Sequence, residues 1–534
     1  MRQNASFARS ALVGLALVIG TAAAAFAQDG RYIVKFKSGH KTEGKRAVDA
    51  ADGHIVLDLD DQDAVAARIP GQKVSELARN PHVEYVEDDV IREPFATWSN
   101  AATTGTEVKP YGIQMVQADK IVISAAAAAA MKICIIDSGY YDGHEDLKET
   151  GVGFTGTGVY PGSGTWNKDS CGHGSHVAGT ITAIAGDGVG VVGANPGVSL
   201  HIVKVFGDDV ADSGSCGWTY ASTLVAALKA CTDAGADVVS MSLGGSFPSV
   251  TEQNAFADAY NNKHILSIAA AGNAGNSSTS YPAGYSTVMS VAAVDATETV
   301  ASFSQRNRDV ELAAPGVAVL STLPWKETNT LTSDGTTWTG SWIEGAARTN
   351  ANGVSGTFVA GGLCGAIDSS WVSKIVLCQR GSVSFAAKVG NVQAAGGVAA
   401  VVYNNIASDP SCGVFSGTLS GTSTIPAIAL SCADGASALG HSAGTVVSTA
   451  PVFNSTGGYE AWDGTSMATP HVSAVAALIW ACNPLKTNAQ VRDALDLSAL
   501  DKGKHGRDTS YGYGIVQAKA ALQRLGVGSC TVLP

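Results

Sequence analysis

Three side chains in this sequence stand in contexts that suit nucleophilic attack on an acyl carbon. Ser466 lies in Gly464-Thr-Ser-Met-Ala-Thr-Pro470, His173 in Cys171-Gly-His-Gly-Ser-His-Val-Ala-Gly-Thr180, and Asp137 follows the apolar run 131–136 and precedes Ser138-Gly139. A serine hydroxyl is a weak nucleophile until an imidazole takes its proton. The imidazole in turn needs a carboxylate on its other nitrogen, to fix the tautomer and stabilise the imidazolium. Taken singly, each has a plainer reading. Asp-Ser-Gly is a common turn, Ser466 a plain helix N-cap, and His173 with His176 a pair of metal ligands at i and i+3. No H-E-x-x-H pattern supports the metal reading.

Such groups need a scaffold that brings distant segments together. Residues 131–136, 201–206, 237–241 and 264–269 read as apolar strands, and 173–185 and 222–234 as helices. Strand and helix in alternation predict an α/β fold with a mainly parallel sheet covered on both faces. Sites in such sheets form at the carboxyl ends of strands. Asp137 ends one strand and Asn273 lies just beyond another. Residues 125–130 are an alanine run with helical propensity and no assigned role. Residues 28–97 form a smaller α/β unit, with strands at 31–37 and 82–88 and a helix at 74–80. A Thr/Ser/Asn-rich stretch, 97–106, follows it and reads as a cleavable linker. Residues 326–455 differ in texture. They are rich in Gly, Ser, Ala and Val, with strands at 374–378 and 397–402 and a helix at 384–395, and they read as an inserted domain.

The chain has 534 residues, enough for about three domains, and 45% apolar against 15% charged residues favours a large core. Acidic residues outnumber basic ones, 46 to 34, for a net charge of −12. No nucleic-acid partner is expected, because that would need a basic patch. Arg2 and Arg9 precede an apolar run, 11–25, and Ala25-Phe-Ala27 has small residues where a signal peptidase reads. Residues 1–27 are therefore expected to be a secretory signal peptide. The run is too short and alanine-rich to span a bilayer, so a secreted (extracellular or periplasmic) protein with no membrane partner is expected. In an oxidising compartment the ten cysteines favour disulfides over metal sites. Cys364 with Cys378 and Cys412 with Cys432 are local pairs, and Cys482 with Cys530 could tie down the C-terminal tail, but sequence alone does not fix the connectivity. Cys171 and Cys216 flank features of the suspected site. Cys134 and Cys231, in apolar contexts, are expected to be buried free thiols.

The three motifs stand in the order Asp, His, Ser, which sets them apart from chymotrypsin-like enzymes and α/β-hydrolases. The sequence closely resembles the subtilisin (subtilase) family of serine proteases over residues 108–324 and 459–525. Ser175 departs from the family's usual Thr but keeps the hydroxyl. The resemblance implies catalytic Asp137, His173 and Ser466, no catalytic cofactor, and an oxyanion donor in Asn273 of Ala270-Ala-Gly-Asn273. It implies substrate-binding edges at Ser215 and Gly217 on one side and Ser242, Leu243, Gly244 and Gly245 on the other. Ser280 falls near the base of the first specificity pocket. No acid is evident there, so a large apolar or aromatic P1 residue (the one supplying the scissile carbonyl) is expected. Asp146 in His144-Glu-Asp-Leu147 is similar to a calcium ligand of the family, with Glu107 as companion, although the loop 185–190 departs from the family's Asn-rich version. Met467, beside the nucleophile, is expected to make the enzyme peroxide-sensitive.

Residues 28–100 resemble the subtilisin propeptide through Asn80-Pro-His-Val-Glu-Tyr-Val-Glu-Asp-Asp89, which implies an intramolecular inhibitor and chaperone removed by self-cleavage between Phe95 and Glu107. Residues 340–455 resemble a protease-associated insert through Lys374-Ile-Val-Leu-Cys-Gln-Arg-Gly381, Ala394-Ala-Gly-Gly-Val-Ala-Ala-Val-Val402 and Ile425-Pro-Ala-Ile428. The expected protein is a secreted, monomeric, broad-specificity endopeptidase acting on proteins and peptides through an acyl-enzyme. The alternatives are a processing protease, for which the sequence offers no narrow charged pocket, and an inactive binding protein on the same scaffold.

Overall fold

A computed structural model describes residues 29–95, 97–99, 106–148, 153–158, 164–169, 171–206, 216–324, 329–350, 352–405, 407, 412–415, 417–419, 421–449 and 458–534. The expected signal peptide and most of the expected linker lie outside them. No helix among the described residues is long and apolar enough to cross a membrane.

The fold is α/β. Seven parallel strands run in the order Val310–Pro315, Val288–Val294, Leu266–Ala270, Val238–Met241, Lys132–Asp137, Ser199–Lys204 and Phe154–Gly158. The strand Lys132–Asp137 shows why both faces must be covered. Ile133 and Ile135 join one core, with Val177 and Ile181 of the helix His173–Thr182 and Val472 and Val475 of the helix Thr465–Cys482. Cys134 and Ile136 join the opposite core, with Leu224 and Leu228 of Ala221–Asp233 and Phe256 of Val250–Asn261. Successive strand residues point to opposite faces, so an unbroken apolar strand is stable only between two helical layers. Every residue of Thr465–Cys482 is buried, which is why this helix reads as uniformly apolar rather than striped.

Cys134 and Cys231 are joined in a disulfide, which corrects the expectation of free thiols; none of the described cysteines is free. The strand residue faces the helix residue across the core, a proximity created by tertiary packing and invisible in either local context. The remaining pairs are Cys171–Cys216, Cys364–Cys378, Cys412–Cys432 and Cys482–Cys530.

Two further units surround this core. Residues 29–94 build an antiparallel sheet in the order His54–Leu59, Ala64–Pro70, Asp29–Phe36, Val83–Asp88. Its own core gathers Val34, Phe36, Val48, Ile69 and Leu77. Its other face places Ile33, Leu59 and Ala64 against the helices Ala221–Asp233 and Val250–Asn261. Two carboxylates fasten the join at the N-termini of those helices. Asp89 accepts from Ser222 N at 2.9 Å and Ser222 Oγ at 2.6 Å; Glu87 accepts from Val250 N at 2.8 Å and Thr251 N at 2.9 Å. Unpaired N–H groups and positive potential at a helix start favour such anions. The second unit is a nine-stranded sheet that already begins at Asn329–Ser333 and ends at Ala443–Ser448. It holds two of the five disulfides and encloses cores around Val376, Val389 and Ala400, and around Leu377, Val401 and Ile428.

Candidate active site

Asp137 closes its strand at the carboxyl end of the sheet, fully buried. Its Oδ1 accepts from Ser138 N at 2.7 Å and bonds His173 Nδ1 at 2.7 Å. A carboxylate only accepts, so Nδ1 carries the hydrogen and Nε2 is left as the basic nitrogen. His173 is the first residue of its helix, and the contact between helix and turn is close. A Cβ on Gly174 would collide with the Gly139 carbonyl, and Gly139 itself sits at φ +121°, where a side chain would be strained.

Asp169 holds these two segments in register, and sequence reasoning missed it. Its buried carboxylate accepts from Ser138 Oγ (2.9 Å), Gly172 N (2.8 Å), Ser175 N (2.8 Å) and Ser175 Oγ (2.6 Å). It thereby ties the turn after Asp137 to the start of the His173 helix, where backbone N–H groups lack helical partners. The Ser175 hydroxyl also accepts from Tyr141 N at 3.0 Å, so the hydroxyl at this position has structural use. His176 stacks on Trp462 with ring centroids 4.6 Å apart, bonds the Glu460 carbonyl at 3.1 Å, and is pushed down to about 3 by burial. It is a neutral packing histidine.

Ser466 is the second residue of the helix Thr465–Cys482. Pro470, four residues on, has no N–H to give the Ser466 carbonyl, and that carbonyl accepts from Ser242 Oγ at 2.7 Å instead. The Asn273 side chain is aimed by Thr465: its Oδ1 accepts from Thr465 N at 2.9 Å and Thr465 Oγ1 at 2.8 Å. This leaves the Asn273 amide hydrogens free to point outward.

What lies between these groups is the chain's own Phe95. Its carbonyl oxygen accepts from Asn273 Nδ2 at 3.0 Å and from Ser466 N at 3.3 Å. Its N–H donates to Ser466 Oγ at 3.0 Å and lies 3.3 Å from the Ser242 carbonyl. The Ser466 hydroxyl donates to the Ser242 carbonyl at 2.8 Å, and His173 Nε2 has no hydrogen-bond partner. The structure thus pairs His173 with Asp137 but turns the Ser466 hydroxyl toward Ser242; rotation of that hydroxyl about χ1 is what a Ser–His contact requires.

Upstream of Phe95, the strand Ile91–Pro94 is held between two antiparallel edges. Ile91 and Arg92 pair with Tyr220 and Thr219; Glu93 and Pro94 pair with Gly244 and Leu243. Downstream, Thr97–Ser99 pairs antiparallel with Tyr459–Asp463. The Phe95 ring fills the space beside Gly244, where an added Cβ would come within 2.6 Å of the ring and 2.5 Å of Ser280 Oγ. Gly245 continues this wall, exchanging backbone hydrogen bonds with Tyr281 at 2.9 and 2.8 Å. Gly217 adopts φ +67° just before the opposite edge. Ser215 lies outside the described residues.

Asp146 and Glu107 converge on one loop. Asp146 Oδ2 accepts from Val191 N at 2.7 Å and its buried Oδ1 has no partner; Glu107 Oε2 accepts from Gly186 N at 2.5 Å. Burial, with the Asp187 charge nearby, pushes the Asp146 carboxyl up to about 7. Among the described residues no group of three or more His, Cys, Asp or Glu side chains is arranged to hold a metal. A hard cation here would draw on loop carbonyls as well as these carboxylates. The orphaned Asp146 oxygen is the feature that fits such an ion.

The sequence model described as the subtilase family matches residues 128–350 and 379–514. Subtilisin DY of Bacillus licheniformis is 41% identical over 243 residues, covering 45% of this chain and 82% of that protein. Subtilisin E of Bacillus subtilis (strain 168) is 33% identical over 302 residues, covering 55% and 73%. In fold, the chain is similar to fervidolysin of Fervidobacterium pennivorans, described as a keratinolytic enzyme related to subtilisin. The TM-score is 0.58 at 23% identity, over 93% of this chain and 61% of that one.

Proposed function

This chain belongs to the subtilase family and is a serine-type endopeptidase, and from that premise we propose that it is an exported precursor that cuts itself after Phe95 and then cleaves proteins after large apolar or aromatic residues. Ser466 Oγ attacks the scissile carbonyl while His173 Nε2 takes its proton. Asp137 holds the imidazole through Nδ1 and stabilises its charged form. Asn273 Nδ2 and Ser466 N receive the developing oxyanion. The C–N bond then breaks, His173 gives its proton to the departing amine, and an acyl group remains on Ser466 until water repeats the sequence. Two edges, Thr219–Tyr220 and Leu243–Gly244, take the substrate backbone as a third strand, an extended mode in which main-chain pairing gives affinity and pockets give selectivity.

The observation that supports this most directly is the Phe95 carbonyl between two N–H donors, 3.0 and 3.3 Å away, beside the Ser466 hydroxyl. Residues 28–95 act as the inhibitor that occupies the cleft, and the peptidase unit comprises 108–324 and 459–525. The insert, 340–455 together with the preceding strands Asn329–Ser333 and Thr336–Thr339 of the same sheet, resembles protease-associated domains that influence substrate access. A calcium ion held by Asp146, Glu107 and loop carbonyls would neutralise clustered carboxylates and stiffen the loop.

Expression of the chain with and without Ser466→Ala tests the proposal. The wild type is expected to yield a mature N-terminus at Ala96 and to digest casein, whereas Ser466→Ala keeps residues 28–95 attached and digests nothing. Identical processing of both forms, with no casein cleavage by either, overturns it.

A further inference from the structure

The segment in the cleft carries an arginine where a second pocket lies. Counting back from Phe95, Arg92 is the fourth residue upstream of the proposed cleaved bond, and its side chain is fully buried, as is that of Glu252. The guanidinium meets the carboxylate in a two-pronged fork: Nε to Oε1 at 3.0 Å and Nη2 to Oε2 at 2.5 Å. Its remaining Nη1 donates to the Ile91 carbonyl at 2.8 Å. The pocket is built to hold that carboxylate in place. Tyr285 Oη donates to Glu252 Oε2 at 2.7 Å and accepts from Ser249 N at 2.9 Å, and Glu252 N bonds the Ser249 hydroxyl at 3.2 Å. Gly245 leaves room for the arginine: a Cβ there would press on the Ile91 carbonyl and come within 3.0 Å of Arg92 Nη1.

Glu252 belongs to the helix Val250–Asn261 of the peptidase unit, not to the departing segment. When residues 29–95 leave, the carboxylate stays behind, desolvated on one side and without its cation. A buried carboxylate left so costs free energy that a cationic substrate side chain removes, whereas a neutral one leaves it uncompensated. The planar fork of arginine matches a carboxylate two-point, which a lysine ammonium does not.

We propose that Glu252 is a specificity-determining residue that selects peptides with arginine at the fourth position upstream of the cleaved bond, in combination with an aromatic residue immediately before it. This rests on the reading that substrates lie in the cleft as Ile91–Phe95 does. It makes the enzyme more selective than an apolar first pocket alone implies, and it names the substrate class: chains containing Arg-x-x-Phe.

The test uses mature enzyme and two internally quenched peptides, Arg-Glu-Pro-Phe and its citrulline counterpart, a neutral isostere at the first residue. The expected kcat/KM ratio favours arginine by about 30-fold or more, the scale for removing one charge from a buried hydrogen-bonded pair. Glu252→Gln enzyme is expected to bring the ratio to within about threefold. Because that variant also loses the Arg92 contact during folding, a precursor carrying Arg92→Leu with Glu252→Leu provides a matched pair, expected to mature and to prefer leucine over arginine. Equal rates of wild type on the arginine and citrulline peptides overturn the subsite and leave the peptidase reading intact. No cleavage of either peptide, by an enzyme that shows no casein digestion, overturns both.

Discussion

Asp169→Asn isolates the part played by a residue that touches no substrate. The exchange keeps shape and removes charge. In the native site one carboxylate oxygen accepts from Ser138 Oγ and Gly172 N, the other from Ser175 N and Ser175 Oγ. An amide offers only one acceptor oxygen, so whichever way it is turned, one backbone N–H at the start of the His173 helix faces an NH2 group. The loss is one charge-assisted hydrogen bond plus one buried N–H left unsatisfied, roughly 3 kcal/mol in all. Part will appear as stability and part as misorientation of the imidazole. The expected result is a fall in kcat of about 10- to 100-fold, or 1.4–2.7 kcal/mol of lost transition-state stabilisation, with KM nearly unchanged. KM should hold because the strands that pair with Ile91–Pro94 and are proposed to take substrate, Thr219–Tyr220 and Leu243–Gly244, make no contact with Asp169 among its hydrogen bonds. The assay is steady-state hydrolysis of a chromogenic peptide anilide with Phe before the cleaved bond, paired with a thermal melt and a pH–rate profile. A variant that melts a few degrees lower but keeps wild-type kcat would refute the positioning role, and so would a loss confined to KM.

Asn273→Leu is expected to lower kcat by about 10²–10³ with little change in KM, the scale measured for this donor in a subtilisin itself; an unchanged kcat would remove Asn273 from the oxyanion site. Peroxide is expected to inactivate the mature enzyme through Met467, which is fully buried one residue after Ser466. Met467→Ala should survive the same exposure, and equal sensitivity of both enzymes would contradict this. Asp146 is held near 7 in the folded chain against 3.8 for a free carboxylate, so the folded state binds the extra proton. Without metal, its contribution to stability therefore falls as pH rises from about 4 to 7. Calcium must displace that proton, so its dissociation constant should increase about tenfold per pH unit below 7. Calorimetric titration at pH 5, 6 and 7 checks this, and a pH-independent affinity argues against Asp146 as ligand.

The parallel sheet was legible where its strands are mostly apolar and alternate with helical segments, as at 131–136 and 237–241; Phe154–Gly158, built of Thr and Gly after its first residue, carries no such signal. The Asp137–His173 pair was legible for the same reason, since both residues sit at ends of strongly patterned elements. Other features leave no local trace. Asp169 lies in the ordinary polar sequence Asn167-Lys-Asp-Ser170 and gains its meaning only when Ser138 and Ser175 arrive from other segments. Glu252 reads as a first-turn helix acid, which it also is; only the return of Arg92 from 160 positions away turns it into half of a buried pair. The Cys134–Cys231 bridge spans 97 residues and was hidden by the apolar surroundings that made both residues look inert. The Ser466 hydroxyl donates to the Ser242 carbonyl while its oxygen accepts from the Phe95 N–H, an arrangement that motif spacing does not encode.

The peptide lodged among Asn273, Ser466 and Ser242 is continuous with the polypeptide that built the cleft. On the proposed cut after Phe95, activation is a private event within each molecule. Its progress should follow a first-order clock that dilution leaves untouched.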